Sequence, residues 1–181
     1  ASPPTVHRRA CARGLPGHLT EAWSATAPWL KLAYTGALGV TAWWLMARLS
    51  RPLARLAAPA RGLALVVIVM GCIGIAAWLG TPANDRMTML FGHTWITCPT
   101  RIFSLSVPVL VGLLWVLRGL APTRLGAAGL AAGLLAGALA AFSYALVCRE
   151  LSASFVAVWY SVGIGLAALL GALLGPRALR W

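Results

Sequence analysis

Residues 126–175 read "GAAGLAAGLLAGALAAFSYALVCRELSASFVAVWYSVGIGLAALLGALLG". A helix needs about 20 apolar residues to cross a hydrocarbon core of about 30 Å. This stretch contains two such runs, 126–147 and 154–175, separated only by a segment that holds Cys148, Arg149 and Glu150. So short a link makes the runs antiparallel neighbours, and the reading becomes a membrane hairpin. Working outward, three more runs fit the same length: 29–47, 62–80 and the shorter 102–117. The expected fold class is all-α, a polytopic membrane helix bundle with five spans over 29–181, preceded by an atypical segment 1–28. A charge at a helix centre is costly on insertion scales. Lys31 is the only charged residue inside the runs, near an end from which it is expected to snorkel. Pro108 is expected to kink the span 102–117.

Composition agrees with this reading and removes several function classes. The 181 residues are 60% hydrophobic and 10% charged, with a mean hydropathy of +0.83, whereas soluble domains carry about 25% charged residues. The acidic residues are Glu21, Asp85 and Glu150 alone, so paired carboxylates for acid–base catalysis are nearly excluded. No HExxH, Walker or GxSxG pattern occurs, and the chain is not expected to be an enzyme. None of His7, His18 and His93 is embedded in a span, which disfavours a proton- or ion-coupled transporter. The net charge of +12 sits in loops between apolar runs, where membrane topology explains it, so no direct nucleic-acid contact is expected.

The arginines orient the bundle. Arg48, Arg51, Arg55 and Arg61 fill one loop, Arg118 and Arg124 another, and Arg177 and Arg180 the C-terminal tail. Alternating topology puts these three segments on one side. The other side has Asp85 and Glu150 against Arg86, Arg101 and Arg149. The positive-inside rule then places the basic loops and the C-terminus in the cytoplasm, with Cys98 and Cys148 on the far side. Arg8, Arg9 and Arg13 in the segment 1–28 run against that orientation. Most of the tryptophans near span ends are read as interfacial belts.

Small residues mark where helices approach. Gly129, Gly133 and Gly137 make two overlapping GxxxG steps, and Gly171 and Gly175 repeat the spacing in the last span. Such faces gain van der Waals contact in lipid. An intrachain seam between the last two spans is the favoured reading, with a homodimer face as the alternative.

Of the four cysteines, Cys72 lies mid-span and reads as a packing residue, while Cys11 lies in the segment 1–28. Cys98 and Cys148 share a depth on the extracytoplasmic side. They are candidates for a structural disulfide or for a redox or soft-metal sensor, with His93 as a third metal ligand. Two sulfurs are too few for a closed zinc site. No cofactor is required, beyond a soft metal ion as signal. A membrane thiol oxidoreductase is the enzyme-class alternative, although the fifty-residue separation is unlike a CxxC pair, and a small transporter is the third.

The block 98–181 closely resembles the C-terminal half of NrsF-type membrane anti-sigma factors. The resemblance rests on Cys98-Pro99, Leu105 to Pro108, Leu114 to Arg118, Ala121 to Arg124, Tyr144 to Cys148 with Glu150, Phe155, Trp159-Tyr160, and Leu174 to Arg177. "WLKLAYT", 29–35, matches the opening of that family's second span. The resemblance implies a six-span inner-membrane protein that holds an extracytoplasmic-function sigma factor inactive. It also implies that Cys98 and Cys148 sense metal or oxidative stress and that their state governs release. Residues 1–28 resemble neither the family's short cytoplasmic segment nor its first span. They are expected to be truncated or misread, which would bear on partner binding.

Overall fold

The computed structural model describes residues 26–50, 56–92, 94–120, 122, 124–148, 150 and 152–180. Among the described residues six helices follow one another: α1 Thr26–Leu49, α2 Ala57–Gly80, the short α3 Arg86–Phe91, α4 Thr97–Arg118, α5 Leu125–Ala145 and α6 Ala153–Ala178. No strand occurs among the described residues. Four of the helices, α2, α4, α5 and α6, are long and apolar enough to cross a membrane. The remaining long helix, α1, has 24 residues, but its tryptophans, threonines and Lys31 dilute its hydropathy, so four membrane-length helices stand where five spans were expected.

The element ends have local causes. Pro82 follows the last turn of α2, and the carbonyls left open there are met by Arg86, whose Nε donates to Thr81 O at 3.0 Å and Nη2 to Leu79 O at 3.3 Å. Ser152 caps α6, its hydroxyl accepting from the Phe155 amide at 3.3 Å. The helix then makes one wider, π-type turn over Val156–Tyr160 before resuming α geometry at Ser161. Helix α4 continues unbroken through Pro108 to Arg118.

Helix α5 is the centre of the bundle, with 61% of its membrane-length window buried, against 11% for the peripheral α2. Packing against α6 is close because both faces lack side chains. A Cβ on Gly129 would run into the Gly171 carbonyl, one on Gly133 into the Ala167 carbonyl, and one on Gly175 would lie 2.5 Å from the Leu125 carbonyl. On Gly137 it would meet the Ile164 Cα at 3.0 Å. The small-residue face is therefore occupied within the chain, helix backbone against helix backbone.

Two apolar clusters divide the core along the bundle axis. One joins Tyr34, Leu38, Met70, Cys98, Ile102, Tyr144, Phe155 and Tyr160. The other joins Leu45, Leu49, Leu114, Leu117, Ala128 and Leu179. The first gathers the N-terminal parts of α1, α4 and α6 with the C-terminal part of α5. The second gathers their opposite ends. Large exposed side chains such as Val40, Val111 and Trp115 point away from both, as expected for surfaces that face lipid.

Three sequence expectations need correction. Lys31 does not snorkel: it is 1% exposed and turned into the bundle. Cys98 does not precede its span but lies in the first turn of α4, because the helix begins at Thr97 rather than near 102. Cys72 is exposed on the outer face of α2 rather than packed inside.

Candidate functional site

The thiol end is assembled by α1, the start of α4, and the hairpin between α5 and α6. Cys98 is fully buried and Cys148 half-buried, and both are free thiols. They lie side by side, within hydrogen-bond reach of one another. Around them stand Lys31, Tyr144, Glu150 and Tyr160. Lys31 Nζ donates to the Cys148 carbonyl oxygen at 3.0 Å, tying α1 to the hairpin across 117 positions. One turn further along α1, Tyr34 Oη meets Ser161 Oγ at 2.6 Å, while Ser161 itself donates to Ala157 O. Tyr34 is thus the donor, and α1 is held to both sides of the hairpin.

Cys148 lies just beyond α5, and its thiol is drawn below the ordinary thiol range. The Cys98 thiol directed at it is the largest cause; burial opposes the shift, and the Glu150 amide, the Tyr160 hydroxyl and the Lys31 ammonium add to it. A lowered value favours the thiolate, the reactive form of a cysteine. The Tyr160 hydroxyl is within electrostatic reach of the Cys148 sulfur, yet it makes no hydrogen bond of ordinary geometry. A buried hydroxyl left in that state is uncommon, and here it points at the thiols.

Loops from two parts of the chain close over this end. Gly92 has φ +53°, and a Cβ there would lie 3.1 Å from both Glu150 carboxylate oxygens and from the Phe155 ring. Thr94 Oγ1 approaches Glu150 Oε1 at 3.5 Å. Trp159 Nε1 donates to Leu90 O at 2.8 Å, and its ring packs with Phe91 and Trp95. Ser154 Oγ donates to Gly74 O at 2.8 Å, joining α6 to α2. His93, a candidate metal ligand, lies outside the described residues. Among the described residues no group of three His, Cys, Asp or Glu side chains is placed to hold a metal ion.

The other end of the bundle is basic. Arg48, Arg61, Arg118, Arg124, Arg177 and Arg180 are exposed there, beside the lower apolar cluster. Arg48 lies over the Trp44 ring at 5.8 Å. Arg61 and Arg177 donate to the carbonyls of Ala57 and Leu173 four residues earlier in their helices, each at 3.2 Å. Arg51 and Arg55 lie outside the described residues.

Reasoning from sequence singled out the two cysteines and the arginines. It missed Lys31, Tyr160 and Gly92. For Lys31 a signal existed, since the one lysine of the chain lies in an apolar run, and such a residue is by default a functional candidate. Tyr160 stood only among the residues that carry the resemblance, and the π-type turn that holds it leaves no mark in the pattern.

The described residues form an all-helical bundle with four helices long and apolar enough to cross a membrane, a paired-thiol site at one end and exposed arginines at the other. A family described as NrsF, negative regulator of sigma F, matches residues 9–181, and the chain belongs to that family. It is 41% identical over 153 residues to the probable anti-sigma-F factor NrsF of Azospira oryzae (strain ATCC BAA-33 / DSM 13638 / PS), a match covering 84% of this chain and 72% of that protein. It is 38% identical over 157 residues to the anti-sigma-F factor NrsF of Caulobacter vibrioides (strain NA1000 / CB15N), again over 84% of this chain and 72% of that protein. No solved structure matches.

Proposed function

We propose that the chain is an integral inner-membrane anti-sigma factor that sequesters an extracytoplasmic-function sigma factor at its cytoplasmic face. It releases the factor when a metal or oxidative signal alters Cys98 and Cys148 on the opposite face. The observation that carries this reading is the construction of the thiol end. Two free, adjacent thiols stand beside Lys31 and Tyr160 at one pole of the bundle, and six exposed arginines occupy the other. A disulfide needed only as a staple gains nothing from a buried ammonium and a buried hydroxyl beside its sulfurs, whereas a reactive thiol does. The basic pole, with its C-terminus, fits the cytoplasmic side by the positive-inside rule. A positive surface there also suits a partner that presents carboxylates.

A sigma-dependent reporter in cells tests the reading. Cys98→Ser and Cys148→Ser are each expected to keep repression at rest and to lose most of the response to a thiol-reactive metal or oxidant. Retention of both repression and response in both variants would sink the sensing role. Constant reporter output with and without the chain would sink the anti-sigma role itself.

A further inference from the structure

We propose that α3 with Gly92 is a hinged cover over the thiol site, latched to α6 by Trp159, and that its opening, while the bundle stays folded, admits reagents to Cys98. The proposal rests on the sensing reading above only for its effect on the sigma-dependent response.

Cys98 has no exposed surface, although it stands in the first turn of α4 at one end of the bundle. Whatever reacts with its sulfur must first displace a neighbour. Phe155 is fully buried and belongs to the same apolar cluster as Cys98, and Cys148 packs against that cluster. Gly92 lies directly on Phe155 and on the Glu150 carboxylate, with only 3.1 Å left for a Cβ toward either. The segment that ends at Gly92 is therefore a layer outside the residues that adjoin the thiols.

The two ends of this segment are held differently. At its start, Arg86 donates to the Thr81 and Leu79 carbonyls, and its guanidinium lies over the Trp78 ring at 4.8 Å. Thr81 Oγ1 also donates to Met89 Sδ at 2.8 Å. These contacts tie α3 to the end of α2 and make a hinge. At its finish the tie crosses to α6. Trp159 Nε1 donates to Leu90 O at 2.8 Å, and the Trp159 and Phe91 rings meet at 6.0 Å between centroids.

The core does not hold α3. None of its six residues is buried, and Met87 and Phe91 are exposed. Leu90 lines a cavity of about 340 Å³ between α2 and α6, together with Gly71, Gly74, Trp78, Ser154 and Ala157. An element with few buried contacts opens at a fraction of the free energy of global unfolding, and a helix this short has little stability of its own. Releasing the Trp159 latch is thus enough to lift the cover.

The test uses the full chain in detergent, in a Cys11→Ser, Cys72→Ser background. Amide hydrogen exchange read by peptide mass is expected to show residues 86–92 exchanging more slowly than a free peptide, yet at least about tenfold faster than α5. Alkylation of Cys98 by N-ethylmaleimide at one fixed pH is then compared among variants. Trp159→Phe keeps a ring and removes the donor. It is expected to speed both the exchange of 86–92 and the alkylation of Cys98 about fivefold, the worth of one hydrogen bond. Leu45→Ala, in the opposite cluster, weakens the fold without touching the cover and is expected to leave the Cys98 rate near that of the parent. Exchange of 86–92 at the free-peptide rate, or no faster than α5, overturns the proposal. So does a folded Trp159→Phe protein with the parent Cys98 rate. An equal gain in Leu45→Ala overturns it as well, because access would then follow global unfolding.

The sigma-dependent reporter separates the cover from the sensing reading. With both correct, Trp159→Phe keeps repression at rest and responds to a lower dose of thiol-reactive metal or oxidant. Faster Cys98 alkylation with a reporter indifferent to both cysteines keeps the cover and defeats sensing. A reporter that needs the cysteines, with alkylation unchanged in Trp159→Phe, keeps sensing and defeats the cover.

Discussion

At Gly92 the backbone turns into the left-handed region, φ +53°, directly against the Glu150 carboxylate. Both facts act against any other residue there. A left-handed conformation costs an L-residue about 1–2 kcal/mol, and the new Cβ would meet the carboxylate and Phe155 at 3.1 Å. Gly92→Ala is expected to lower the midpoint of thermal unfolding in detergent and to raise the accessibility of Cys148 to maleimide, since Glu150 must shift. The sequence shows a glycine in a loop and nothing of this, because its role depends on a carboxylate fifty-eight positions away. Lys31 was legible as an oddity, a charge within an apolar run. Its direction was not, because snorkelling and inward pairing fit the same position and only the neighbouring helices choose between them.

Among the elements, the α5–α6 pair was the most legible. The fourfold spacing of Gly129, Gly133, Gly171 and Gly175 is itself a statement about one helix face, and backbone meets backbone at those positions. Gly133→Val places side-chain atoms where the Ala167 carbonyl stands and is expected to cost about 1–3 kcal/mol or more. Gly165 has open space at the Cβ position, so Gly165→Ala is expected to be neutral or slightly stabilising, by up to about 1 kcal/mol. Comparing the two by resistance to denaturation in detergent separates packing from helix propensity; equal effects would mean the seam is loose. The start of α4 was less legible. Residues 97–101 include Pro99 and Arg101 and read as loop, yet proline is accepted in a first helical turn because its missing N–H is not needed there. That extra turn is what brings Cys98 beside Cys148.

For the whole molecule, apolar run length conveyed the all-helical class, and loop charge conveyed the contrast between its two poles. Neither conveys how five long helices surround one another, since in lipid nearly every outward face is equally apolar. With Cys98 and Cys148 unbridged, intact cells treated with a membrane-impermeant maleimide are expected to be labelled at Cys148 without prior reduction. Cys72, exposed on the mid-part of α2, is expected to stay unlabelled in lipid. Labelling only after reduction would mean that the pair is bridged in the cell. Absence of labelling until the cells are opened would reverse the orientation.

The wide turn over Val156–Tyr160 acts as a phase adjustment in α6. Before it, Ser154 and Phe155 must face α2 and the upper core. After it, Gly163, Gly171 and Gly175 must face α4 and α5. Each residue of an α-helix advances the facing direction by about 100°, and one added residue reconciles the two demands. A π-type turn takes up that residue by winding more loosely, so the helix beyond it keeps its glycines on α5. The same stretch also fixes Trp159 against Leu90 and Tyr160 beside the thiols, so one local winding serves both the seam and the site.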